Sequence, residues 1–136
     1  MKNREITQGE YETLAAFRYH LRQFMRFSEE AAIRVGLTPQ QHQALLTIKG
    51  FPGRDLVTVT ELAERLQVKH HSAVGLVNRL VAQELVERVP ATEDRRQVYI
   101  ALTPRGAELL SELTAAHREE IRQIRPVLQQ LLEQIS

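Results

Sequence analysis

The chain has 136 residues, enough for one ordinary domain with a real core and too few for two. Hydrophobic residues make up 43% and charged residues 26% with no low-complexity tract, which excludes a disordered chain. The absence of cysteine excludes disulfides, thiolate metal sites and thiol redox switches, while a net charge of +1 neither demands nor excludes a nucleic-acid partner. The start, MKNREITQGEYE, lacks the apolar run of a signal peptide, and no stretch approaches the roughly 18 apolar residues of a membrane span. The expected location is the cytoplasm, with no membrane association.

From residue 10 to about residue 35, Leu14, Phe17, Leu21, Phe24 and Met25 recur at spacings of three and four, the mark of an amphipathic helix that Gly36 ends. Arg18, Arg22 and Arg26 line one face of it, as a solvated face or as part of a binding surface. Leu37-Thr38-Pro39-Gln40-Gln41 is a helix start: a threonine cap, proline at the first helical position, and a glutamine reaching back as in a capping box. This second helix runs to about Lys49. The two glycines and the proline between residues 50 and 55 predict a loop, and Leu56, Val57 and Thr58 suit a short strand.

Thr60-Glu61 opens a third helix, although Thr58-Val59-Thr60-Glu61 also fits a capping box two residues earlier. Leu62, Ala63 and Leu66 form its apolar stripe. After a short connection, a fourth helix over residues 70 to 83 buries Ala73, Leu76, Val77 and Leu80. Residues 86 to 90 and 97 to 102 are rich in β-branched side chains and flank a polar tip, which predicts a two-stranded hairpin. Leu102-Thr103-Pro104 repeats the device of residues 37 to 39 and starts a last helix. Its apolar series, from Leu110 through Leu113, His117, Ile121, Ile124, Leu128 and Leu131 to Ile135, should be kinked or split by Pro126.

The segment VTELAERLQVKHHSAVGLVN, residues 59 to 78, fits a helix-turn-helix: apolar positions lock the crossing and small Ala63 lets the helices approach. Gln67 stands where the turn is often glycine, so a left-handed backbone there costs more and a differently shaped turn is an alternative. The outer face carries His70, His71, Val74, Gly75, Asn78 and Arg79, with Lys69 in the approach and Ser72 at the flank. Those residue types suit a major groove: asparagine pairs bidentately with adenine, valine touches a thymine methyl, and arginine and lysine reach guanine or phosphate. A protein-binding helix pair with an ordinary polar face is the alternative. The hairpin that follows favours DNA, because its tip carries Arg95 and Arg96 where a wing meets the minor groove, with Asp94 placed to pair with a guanidinium.

With LAERLQVKHHSAVGLVNRLVAQELVERV and then EDRRQVYIALTPRG, nearly the whole chain resembles the MarR family of transcriptional regulators. The resemblance implies a mainly α fold with a small β-hairpin, a winged helix-turn-helix lobe at residues 37–103, and dimerisation helices at 1–36 and 104–136. It also implies an obligate homodimer, a repressor of double-stranded DNA, with Lys69, His70, His71, Ser72, Val74, Asn78 and Arg79 facing the major groove and Arg95 and Arg96 in the wing. Gly75 replaces what is often a polar contact residue. The dimer follows from the residues alone as well, since neither terminal helix can bury its stripe on so small a lobe.

Release by a small aromatic or anionic effector is the expected control, with Phe17, Arg18, Arg22 and Phe24 as pocket residues, unless these are simply core and surface. The five histidines, His20, His42, His70, His71 and His117, raise a zinc-responsive alternative, but none forms a spaced ligand pair on one helical face, so no metal ligand is assigned. No Gly-rich phosphate loop, nucleophile elbow or paired carboxylates point to an enzyme or call for a cofactor, and Ser72 beside His71 is not a catalytic pair.

Overall fold

The computed structural model describes residues 5–94 and 96–135. Five helices and a small sheet follow in the order α1 (Gln8–Arg34), α2 (Pro39–Lys49), β1 (Leu56–Val57), α3 (Val59–Leu66), α4 (His70–Ala82), β2 (Val86–Pro90), β3 (Val98–Leu102) and α5 (Pro104–Glu133).

Local chemistry fixes most of the boundaries. Thr38 and Gln41 form the expected capping box of α2, with Pro39 in its first turn. For α3 the start is settled at the earlier position: the Thr58 hydroxyl accepts from the Glu61 amide at 3.1 Å, and Glu61 Oε1 accepts from the Thr58 amide at 2.9 Å. Gly36 leaves α1 with φ of 84°, the conformation that glycine adopts without strain.

Three expectations change. The turn after α3 keeps its left-handed shape without glycine: Gln67 has φ 56° and ψ 46°, its own Nε2 donates to the Glu64 carbonyl at 2.6 Å, and the Val68 amide closes onto Ala63 at 3.0 Å. The side-chain bond and the closed turn offset the cost of the Cβ. The hairpin is part of a three-stranded antiparallel sheet in the order β1-β3-β2, because Leu56 and Val57 pair with Ala101 and Ile100. Pro126 does not split the last helix, which continues to Glu133. Proline there removes only the amide that would meet the Arg122 carbonyl, on an exposed face where water can take its place.

The core lies in the lobe. Leu45 and Ile48 of α2, Leu62 of α3, Leu76 and Leu80 of α4, Val57, and Ile100 of β3 are fully buried together, joined by Leu110 and Leu113 at the start of α5. α1 contributes only Ala31 and Ala32, at its end. Much of its apolar stripe is uncovered: Leu14, Leu21 and Met25 are 55%, 46% and 42% exposed, while Phe17 and Phe24 are half-buried. The far end of α5 matches it, with Leu132 and Ile135 exposed.

One junction holds α5 to the lobe. The Thr103 amide donates to the Leu85 carbonyl at 3.1 Å, its hydroxyl donates to the Glu84 carbonyl at 2.7 Å, and the same oxygen caps Gly106 at 3.1 Å. Gly106 is buried so tightly that a Cβ there would lie 2.0 Å from the Leu85 oxygen. At the opposite end the Thr13 hydroxyl of α1 is 2.9 Å from Gln134 Oε1, beside the end of α5.

Candidate nucleic-acid interface

α3 and α4 pack on each other through Leu62, Ala63, Ala73, Leu76 and Leu80, all buried. With that face used, the opposite face of α4 is turned out of the protein. Lys69, His70, His71, Ser72, Asn78 and Arg79 are exposed, Val74 is 36% exposed, and Gly75 is half-buried among them. A Cβ at Gly75 would meet nothing nearer than Arg79 Nη1 at 3.5 Å, so the fold itself does not require glycine there. What glycine does is keep the outer surface low between Val74 and Arg79. Lys69 precedes α4 without a side-chain cap, so the His70 and His71 amides keep the donor character and partial positive charge of an open helix end.

The β2–β3 hairpin stands beside this face. Asp94 Oδ1 accepts from the Arg96 backbone amide at 3.0 Å and from its Nε at 3.4 Å, so the carboxylate steers a side chain that is 93% exposed. Arg95 lies outside the described residues. Close to its tip the hairpin is tied to the start of α3 through Arg54, which ion-pairs with Glu61 and lies against the rings of Phe51 and Tyr99, 4.5 and 5.5 Å from their centroids. Burial alone would raise the Glu61 carboxyl, but the Thr58 amide and hydroxyl and the Arg54 guanidinium more than offset it and hold the group below its usual value.

Arg88 is the residue that sequence reasoning missed. From β2 its Nη2 donates to Oδ1 of Asn78 at 2.5 Å, linking the outer face of α4 to the hairpin. No spacing rule signals a pair ten residues apart on a helix and a strand. The contact exists only because the chain folds back through Glu84, left-handed at φ 62°, and Leu85.

The residues expected around an effector are spread along α1. Arg18 and Arg22 are exposed and Phe17 is half-buried. Phe24 stands edge-on to His117 of α5, with ring centroids 5.8 Å apart, and Phe27 does the same at 5.2 Å. Between α1, α2 and α5 the structure brings together two histidines that the sequence keeps far apart: the rings of His42 and His117 are 4.8 Å apart. His117 Nδ1 lies 2.6 Å from the Leu113 carbonyl, which can only accept, and its Nε2 lies 2.9 Å from the Ser28 hydroxyl. His42 is 3% exposed with no hydrogen-bond partner for Nδ1. Burial first, and the neighbouring His117 second, lower its pKa from 6.5, so His42 is neutral at pH 7. Among the described residues no group of three or more potential ligands gathers around a metal position. Likewise no helix is long and apolar enough to cross a membrane.

Comparison with known proteins agrees with this geometry. Residues 35–97 match the model of the MarR family. The repressor MdtR of Bacillus subtilis is 30% identical over 89 residues, covering 65% of this chain and 56% of that protein. The homoprotocatechuate degradative operon repressor of Escherichia coli is 31% identical over 91 residues, covering 67% of this chain and 60% of that one. The chain thus spans a little over half the length of these relatives. A mutant of MepR from Staphylococcus aureus, solved bound to an oligodeoxyribonucleotide, superposes with a TM-score of 0.70 at 22% identity, covering 97% of this chain and all of that one. Residues 35–97 are thus similar to the MarR family, and over nearly all its length the chain carries the winged-helix fold of that family's solved structures.

Proposed function

We propose that the protein is a homodimeric repressor that binds a palindromic operator in double-stranded DNA and is released by a small molecule. The observation that carries this reading is the outer face of α4, where Lys69, His70, His71, Ser72, Val74, Asn78 and Arg79 stand clear of the core beside a hairpin whose tip carries Asp94 and Arg96, with Arg95 between them in the sequence. The side chains facing outward are base and phosphate readers, and the uncapped start of α4 suits a phosphate oxygen. Two relatives are named as repressors, and a neighbour of the same fold was solved with an oligodeoxyribonucleotide.

The dimer is supported by what α1 and α5 leave open. Ile6, Tyr11 and Leu14 of the N-terminal segment and Leu131 and Ile135 near the end of the chain line an open groove of about 1030 Å³. A monomer would keep this surface in water, and a second copy covers it. In this reading residues 1–36 and 104–136 are the dimerisation helices and 37–103 the reading lobe. Two-fold symmetry then sets half-sites one helical turn apart, about 34 to 36 Å. An aromatic or anionic effector near Phe17, Arg18, Arg22 and Phe24 would act by favouring a different spacing of the two lobes, a coupling that typically amounts to about 1 to 3 kcal/mol.

Selection of bound duplexes from random DNA at several salt concentrations tests the proposal. A palindromic consensus with a steep salt dependence is the expected result. Failure to enrich any duplex, or sedimentation at the 15.6 kDa of one chain at all working concentrations, would overturn it.

A further inference from the structure

We infer that Arg88 is a specificity-determining positioning residue: by holding the carbonyl oxygen of Asn78 and setting a cation beside it, Arg88 disfavours a base amino group as that asparagine's partner, so the position is read through base acceptors, guanine foremost. The inference rests on the DNA-binding reading above and concerns one position within each half-site.

The chemistry leaves little freedom. A guanidinium has five N–H donors and no acceptor, so whatever part of Asn78 it meets must be the oxygen. Arg88 Nη2 donates to Asn78 Oδ1 at 2.5 Å, and among the described residues Arg88 enters no ion pair that would draw it elsewhere. A charge-assisted bond of this kind is stronger than one between neutral groups. Both residues are exposed on the side of the molecule that α4 turns outward, so the bond forms at the reading surface and not beneath it.

An asparagine reads adenine by using both ends of its amide at once, accepting from N6 and donating to N7. With Arg88 on one of the oxygen's two lone pairs, an adenine N6 amino group approaching the other would bring its donor hydrogens up against the guanidinium, which disfavours the accepting half of that pair. The free NH2 suits an edge that only accepts, and guanine offers two such atoms side by side, N7 and O6. The sequence expectation of an asparagine–adenine pair is thereby replaced by a donor-only contact, through a residue on a different element that touches no base itself.

The test uses the full chain and selection from random duplexes by the wild type, N78A, R88M and R88K. The position whose preference disappears in N78A is the one that Asn78 reads. In the wild type it should be guanine, and 7-deazaguanine placed there should weaken wild-type binding about tenfold and leave N78A unaffected. R88M should swing that one position toward adenine by about tenfold with the others unchanged, R88K should retain guanine, and R88M in the N78A background should shift nothing. Adenine at that position in the wild type overturns the inference, as does N78A losing no preference. A uniform loss of affinity in R88M with a shallower salt slope and unchanged preferences does so too, since that is the signature of a phosphate contact. The wild-type and 7-deazaguanine results decide the matter even if R88M does not fold. If the wild type selects no duplex at all, it is the DNA-binding reading that has failed.

Discussion

Replacing Gly106 by alanine puts a methyl group where the structure has none to spare. The added Cβ would lie 2.0 Å from the Leu85 oxygen and 3.0 Å from its carbonyl carbon, both backbone atoms that cannot rotate away. Relief requires α5 and the Leu85 strand end to separate by roughly 1 Å, with overpacking strain of about 2 kcal/mol. That movement also stretches the Thr103 amide bond to Leu85 and the Thr103 hydroxyl bond to Glu84, worth about 1 kcal/mol each. Alanine recovers about 1 kcal/mol of helix propensity, which leaves a net loss of about 3 kcal/mol. Gly9 provides the control, because its Cβ would meet only Thr7 Oγ1 at 3.8 Å, so the same substitution there should be neutral or stabilising by up to about 1 kcal/mol. Urea unfolding followed by circular dichroism at one fixed protein concentration measures both. If G106A loses less than about 1 kcal/mol, the close approach does not hold α5 to the lobe and the reasoning fails.

Thr58→Ala should cost about 1 kcal/mol in the same assay, because the Glu61 amide loses its acceptor, whereas Thr58→Ser should be nearly neutral; equal losses would point to the methyl group instead. Arg96→Ala should reduce the slope of log affinity against log salt by about 0.9 for each phosphate that Arg96 neutralises, about 1.8 for a dimer, and an unchanged slope would remove Arg96 from the interface. His42 gives a pH signature. Its folded pKa lies below 6.5, so the unfolded chain binds the proton more readily, and the stability present above pH 6.5 is lost as pH falls toward the folded value. The slope is at most about 1.4 kcal/mol per pH unit, and His42→Phe should flatten it; an equally steep curve in that variant would assign the titration to another group.

The helices were legible because their signals are local. Thr38, Thr58 and Thr103 each cap a helix within three residues of themselves, and the apolar spacing of α4 alone turns Asn78 and Arg79 outward. β1 was readable only as a suggestion, since a two-residue strand has no periodicity and owes its form to Ile100 and Ala101 far along the chain. Gln67 shows where a rule based on glycine stops: a long amide side chain that bonds back to Glu64 makes the left-handed turn tenable. What the sequence concealed are contacts between distant elements. Arg88 with Asn78, His42 with His117, and Gly106 against Leu85 each join residues whose neighbours in the chain give no hint of the other. Gly106 stood in the Leu-Thr-Pro-x-Gly signature that carried the family resemblance, but the reason for glycine there is visible only once Leu85 is in place.

The seamless contact at Gly106 makes the last helix a lever welded to the lobe. Thirty residues at 1.5 Å each give a rod about 45 Å long, and tilting it by about 5° displaces its far end by about 4 Å. With no slack where rod meets lobe, a small displacement at the remote tip, where Thr13 meets Gln134, is delivered to the reading surface as rotation instead of being absorbed along the way.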